Sequence, residues 1–141
     1  MRSRRRRADI ALLFVLWAAS GAGAGAGGEG ASATLRLMQE KVIPASNTVF
    51  GATAEVPADD AGWREVEQAL ETLVASVREM ADAPGGFAPL PWKDDAAAFA
   101  RAVLDARRAV AARNVDALES ANGALYQSCE TCHVVYLPAS K

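Results

Sequence analysis

Apolar residues recur every three or four positions along most of this chain, which is the repeat of an α-helix with one buried face. Four stretches show the repeat: residues 32–52, 59–83, 94–113 and 114–136. In the third stretch, the apolar stripe consists of Phe99, Val103, Ala106 and Val110. Alanine, the best helix former, is abundant, whereas aromatic residues, which favour strands, make up only 6% of the chain. The pattern predicts an all-α fold.

The lengths of these stretches predict how the helices are arranged. A chain of 141 residues has room for one domain with a modest core, and a hydrophobic content of 51% excludes a disordered chain. Each stretch is about 20 residues long, and short connections join the first pair and the last pair. Residues 82–92 contain three prolines and two glycines and are predicted to form a loop. We therefore predict an antiparallel, up-down-up-down four-helix bundle.

The first 26 residues have the layout of a secretory signal peptide. A basic start with five arginines is followed by an apolar run over residues 10–19 and by small residues, with Ala-x-Ala cleavage options after Ala24 or Ala26. An uncleaved membrane anchor is the alternative, but the apolar run is shorter than the roughly 20 residues that span a bilayer. We expect residues 1–26 to be a signal peptide and residues 27–141 to form a periplasmic four-helix-bundle domain.

The distribution of charge excludes one class of partner. The chain has 15 basic and 17 acidic residues, and residues 27–141 alone carry 10 basic and 16 acidic residues, a net charge of −6. A globally basic nucleic-acid-binding protein is therefore excluded. An acidic surface suits a basic protein partner, although charged helix faces are more often simply solvated.

A Cys-x-x-Cys-His motif lies near the end of the fourth stretch, as Cys129-Glu-Thr-Cys132-His133. This spacing is typical of covalent attachment of a c-type haem. Positions i, i+3 and i+4 share one helix face, so two thiols can bond the haem vinyl groups while the imidazole reaches the iron. We predict one covalent haem c, with thioethers at Cys129 and Cys132 and with His133, the only histidine, as the proximal iron ligand.

Three other roles of the motif are weaker interpretations. A structural zinc site needs four ligands, and the chain offers only two cysteines and one histidine. A redox-active dithiol normally follows a strand at the start of a helix, whereas this motif lies deep in the last predicted helix. A structural disulfide across four residues would gain little chain entropy. No second constellation of catalytic residues is present, so we do not expect an enzyme.

With this motif near the end of a four-helix chain, the sequence resembles the class II c-type cytochromes, the cytochrome c-prime family. The segments that carry the resemblance are Leu37-Met38, Val42-Ile43-Pro44-Ala45, Val49-Phe50, Ala124-Leu125-Tyr126 and Tyr136-Leu137-Pro138. The resemblance covers most of residues 34–138. It departs at Glu130, Thr131, Val134 and Val135, where many relatives carry a basic residue near the haem. The family implies one-electron carriers or five-coordinate haem proteins that bind NO or CO, and a possible homodimer.

The sixth ligand of the iron distinguishes electron transfer from the binding of NO or CO. In an up-down-up-down bundle, Met38 and His133 lie at similar depths, roughly 9 and 6 Å from one end, so Met38 is the expected distal ligand. Met80 and an open site are the alternatives. Histidine and methionine ligation raises the reduction potential and suits electron transfer. We expect Leu35, Val42 and Phe50 to wall the pocket and Pro44 to kink the first helix.

Taken together, the motif and the resemblance predict a periplasmic monohaem c-type cytochrome that carries single electrons between redox partner proteins. Binding of NO or CO on five-coordinate iron is the alternative function.

Overall fold

The computed structural model describes residues 33–81 and 89–136, and all regular structure in these ranges is helical. Helix α1 covers residues 33–54, α2 covers Asp60–Ala81, α3 covers Pro89–Ala111 and α4 covers Val115–Tyr136. The prediction of an all-α fold is confirmed. The predicted signal peptide at residues 1–26 lies outside the described residues, as does Pro138.

Helix α1 changes its winding ahead of Pro44. Residues 33–37 are α-helical, Met38–Val42 form a π-helical turn, and Ile43–Ala54 are α-helical again. Pro44 has no N–H to donate to the Glu40 carbonyl, and its ring crowds that carbonyl. The N–H of Ile43 bonds instead to the Met38 carbonyl, five residues back. The disturbance predicted at Pro44 is therefore a wider helical turn immediately before it.

The π-helical turn shifts the phase of the buried face of α1. After the turn, the buried residues follow the α-helical period through Val42, Ala45 and Val49. Before it, the buried positions are Thr34 and Leu37, and Leu37 lies five residues ahead of Val42, while Leu35 is 51% exposed. The expectation that Leu35 faces the interior is wrong, because it assumed an unbroken α-helical period.

Helix α3 begins earlier than its sequence pattern predicts. The predicted start was residue 94, after a loop over residues 82–92, but α3 starts at Pro89 and includes Pro91. Both prolines lie in the first turn, where the backbone N–H groups have no partner within the helix. Proline therefore costs little there, and the breaker-rich composition misplaced the boundary.

Side-chain caps fix the starts of α2 and α4. Asp59 Oδ1 accepts the N–H of Gly62 at 2.9 Å, and Asn114 Oδ1 accepts the N–H of Ala117 at 2.9 Å. Between α3 and α4, Arg113 takes a left-handed backbone conformation with a φ of 50°. The N–H of Asn114 then bonds to the Ala109 carbonyl at 2.9 Å, which closes the end of α3.

The four helices pack around a shared core. Helix α1 contacts α2 and α4, and α3 contacts α2 and α4, which is consistent with a bundle. The most deeply buried large side chains are Val49, Leu70, Leu73, Val103, Val110, Leu118 and Leu125. Within residues 33–81 and 89–136, no helix has the length and apolar character needed to cross a membrane.

Truncation of a core leucine tests this packing. Leu73 is fully buried in α2, whereas Leu104 in α3 is 44% exposed. We expect Leu73→Ala to lower the free energy of unfolding by about 2–5 kcal/mol, because it leaves a cavity. Leu104→Ala is the control and should cost less than about 1 kcal/mol. Urea unfolding followed by circular dichroism measures both, and equal losses would contradict the assigned core.

Candidate functional site

Ten residues from all four helices line one apolar cavity. They are Met38 and Val42 of α1, Met80 of α2, Trp92, Ala96 and Phe99 of α3, and Ser128, Cys129, Cys132 and His133 of α4. Every residue that the sequence analysis named as a haem or iron contact therefore borders the same space. The rival sulfur ligand, Met80, borders it as well.

The last turns of α4 direct the motif toward this cavity. Cys132 lies three positions after Cys129 and His133 lies four positions after it, so one face of the helix carries all three side chains. Both cysteines are unbridged and partly buried, while His133 is exposed at the edge of the cavity. The buried residues Leu118 and Leu125 hold the preceding turns of the helix against the core.

The surroundings of the two thiols keep them protonated. Burial raises the pKa of Cys129 above its usual value. The pKa of Cys132 is raised to about 11, first by burial, then by the negative charge of Asp95 and by the repulsion that would arise between the two thiolates. Reactive dithiols of the thioredoxin type depend on a lowered thiol pKa. The environment of this pair therefore disfavours the interpretation as a redox-active dithiol.

Two methionines supply thioether sulfur to the cavity. Met38 is partly buried at the first position of the π-helical turn, and Met80 is 5% exposed near the end of α2. An ion pair between Lys41 Nζ and Glu79 Oε1 at 2.6 Å joins the π-helical turn to the end of α2. Both sulfur-bearing side chains thus belong to one local assembly of α1 and α2.

Aromatic residues of α3 and α4 form a part of the site that the sequence analysis missed. The indole N–H of Trp92 donates to the Met80 carbonyl at 3.0 Å. The ring of Trp92 meets that of Tyr136 edge-on, with centroids 5.1 Å apart and planes at 78°. The Tyr136 hydroxyl donates to Asp95 Oδ2 at 3.0 Å. The sequence contains the signal for this contact, because Trp92 lies in the first turn of α3. The sequence pattern, however, places Trp92 in the predicted loop over residues 82–92.

The predicted pocket walls are partly wrong. Val42 lines the cavity, but Leu35 is half exposed and Phe50 packs against the core away from the lining. Phe99, on the apolar stripe of the third stretch, and Trp92, at the end of the predicted loop, line the cavity as well. The walls therefore come from α3 more than from α1.

The residues present fit a c-type haem by their chemistry. Two protonated thiols, an adjacent imidazole, two thioethers and apolar side chains are the groups that such a cofactor uses. The free space inside the cavity is about 30 Å³, roughly the volume of one water molecule in the liquid. A porphyrin is much larger, so its insertion requires the lining side chains to move apart.

No protein-family model, no curated protein sequence and no solved structure matches this chain. Across residues 33–81 and 89–136, no group of three or more His, Cys, Asp and Glu side chains is arranged to hold a metal ion directly. The site is therefore interpreted from its own residues and their geometry.

Alkylation measures the protonation of the thiols. In haem-free Cys129→Ser protein, Cys132 is the only thiol. Its pKa, about 11 when Cys129 is present, stays raised by burial and by the charge of Asp95, which leaves very little thiolate at pH 8. We expect iodoacetamide to modify it about 100-fold more slowly than an unperturbed cysteine, with the rate rising as the pH approaches 11. Unfolding in urea is the control and should restore ordinary reactivity. A folded chain with ordinary reactivity would contradict the assigned environment.

Proposed function

We propose that this protein is a periplasmic monohaem c-type cytochrome of class II that carries single electrons. The observation that supports this most strongly is the lining of one cavity. The thiols of Cys129 and Cys132 and the imidazole of His133 border the same apolar space as the thioether of Met38. This combination at this spacing is typical of covalent haem attachment.

The proposed roles of the residues follow from their chemistry. Cys129 and Cys132 would hold the haem through thioethers, each formed by addition of its S–H bond across one vinyl group without net oxidation. His133 would bind the iron. When bound, the haem supplies the one-electron chemistry through the Fe(III)/Fe(II) couple. The apolar residues of α3 exclude water from the surrounding space.

Met38 is the proposed distal ligand, because it borders the cavity from α1, which packs against α4 as α3 does. Histidine and methionine ligation favours electron transfer over gas binding. An open sixth position, with binding of NO or CO, is the second candidate. The small free space of about 30 Å³ favours it, because the lining side chains, with Met38 among them, must move apart to admit a haem.

The proposed architecture is the antiparallel, up-down-up-down four-helix bundle. Its support is the short connections: Glu55–Asp59 join α1 to α2, and residues 112–114 join α3 to α4. Connections of five and three residues bring consecutive helices of about 22 residues back alongside each other. Residues 1–26 are the proposed signal peptide, a redox protein is the proposed partner, and a homodimer is a possible assembly.

Haem attachment is the first test of this function. The full chain, expressed in a host that matures c-type cytochromes, should contain one haem per chain by the pyridine haemochrome assay. Cys129→Ser and Cys132→Ser should each lose one thioether, and His133→Ala should lose the proximal ligand. Ser128→Ala is the matched control, because Ser128 lines the cavity, its hydroxyl bonds to the Leu125 carbonyl at 2.7 Å, and it has no proposed role in holding the haem. A chain that matures without haem would refute the proposal.

The absorption spectrum tests the sixth ligand. We expect a low-spin spectrum with a methionine–iron charge-transfer band in the far red. Met38→Ala should convert it to a high-spin spectrum that responds to CO, because the distal ligand is removed. Met80→Ala should keep the low-spin spectrum and is the matched control, since Met80 borders the same cavity. The reverse outcome would assign the ligand to Met80, and a high-spin wild type would favour gas binding.

A further inference from the structure

A hydrogen bond joins the start of α3 to the end of α4 beside the cavity. The Tyr136 hydroxyl donates to Asp95 Oδ2 at 3.0 Å, and both side chains are partly buried. Tyr136 follows Cys132 by four residues, so the two residues lie one turn apart on the same face of α4. Asp95 immediately precedes Ala96, which lines the cavity. The pair therefore lies next to the place where Cys132 would anchor a haem.

The negative charge of Asp95 acts on the groups at this end of α4. Burial is the main cause of the raised pKa of Cys132, and the charge of Asp95 is the second. Burial, followed by the hydrogen bond to Asp95 and the charge of Asp95, raises the pKa of Tyr136 to about 12. Charges at partly buried sites are screened less by salt than those at an open surface. The Tyr136 hydroxyl places its proton against the carboxylate, which offsets part of the charge.

We propose that the hydrogen-bonded pair of Asp95 and Tyr136 sets the electrostatic potential beside the haem that Cys132 anchors, and thereby tunes its reduction potential. This inference rests on the proposed function. A negative charge favours Fe(III) over Fe(II), which carries one positive charge less, so Asp95 lowers the reduction potential. The Tyr136 hydroxyl limits that effect. Both residues act through the surroundings of the cofactor and not as iron ligands.

Spectroelectrochemical titration of the haem-loaded protein tests the proposal. Asp95→Asn removes the charge, and we expect the ratio of Fe(II) to Fe(III) at a fixed electrode potential to rise by up to about tenfold, which is about 59 mV for one electron. Tyr136→Phe removes the hydrogen bond and leaves the charge less offset. We expect it to change the ratio in the opposite direction, by about twofold to threefold.

Two matched controls accompany these variants. Asp94→Asn removes a neighbouring exposed carboxylate of α3, and Tyr126→Phe removes the hydroxyl of an exposed tyrosine of α4. Both should change the ratio by less than about 1.5-fold, because water screens exposed groups. If the two substitutions acted only by loosening the helices, Asp95→Asn and Tyr136→Phe would shift the reduction potential of the haem in the same direction. Shifts of opposite sign therefore support the electrostatic role.

The possible failures can be told apart. Haem-loaded variants whose potentials do not move, move in one common direction, or match the controls would overturn this inference alone. Absence of haem from every variant and from the wild type would overturn the proposed function as well.

A measurement on the haem-free chain tests the pair if a variant matures poorly. In Asp95→Asn, the pKa of Tyr136, followed by ¹³C NMR of the tyrosine ring, should fall from about 12 toward the ordinary value of about 10. An unchanged pKa would overturn the electrostatic coupling.

Discussion

The burial of Leu118 and Leu125 determines which face of α4 is turned toward the core, and therefore where the Cys-x-x-Cys-His motif points. The two leucines are seven residues apart, about two turns of helix, and neither is exposed to solvent. A further seven residues lead to Cys132 on the same face. The apolar contacts that hold α4 against α1 and α3 thus direct the motif into the cavity. Each leucine contributes about 2–5 kcal/mol by its burial, so any rotation of α4 about its axis would be costly.

The same burial gives the two cysteines their chemical character. A thiol at the boundary of an apolar core stays protonated, because the charged thiolate loses hydration there. A protonated, unbridged pair at the border of a cavity is poorly suited to disulfide exchange, which needs a thiolate. The core therefore influences both the direction of the motif and its reactivity.

The sequence predicted the helices, because they depend on local spacing. The recurrence of apolar residues every three or four positions predicted the ends of α2 and α4 to within about two residues. The start of α3 was missed, since prolines that break a helix interior are tolerated in its first turn. The walls of the cavity were also missed in part. Trp92 reaches Met80 and Tyr136 only through tertiary packing, which no local pattern encodes.

The π-helical turn of α1 has a consequence for any change in its length. One additional residue in a helix rotates everything before it by about 100° relative to everything after it. In α1 that rotation places Leu37 inside and Leu35 outside, and Met38 lies at the junction. A deletion of a single residue between Gln39 and Lys41 would restore an even winding and turn the preceding segment by about 100°. The π-helical turn therefore sets which side of that segment faces the core, independently of the packed half of the helix.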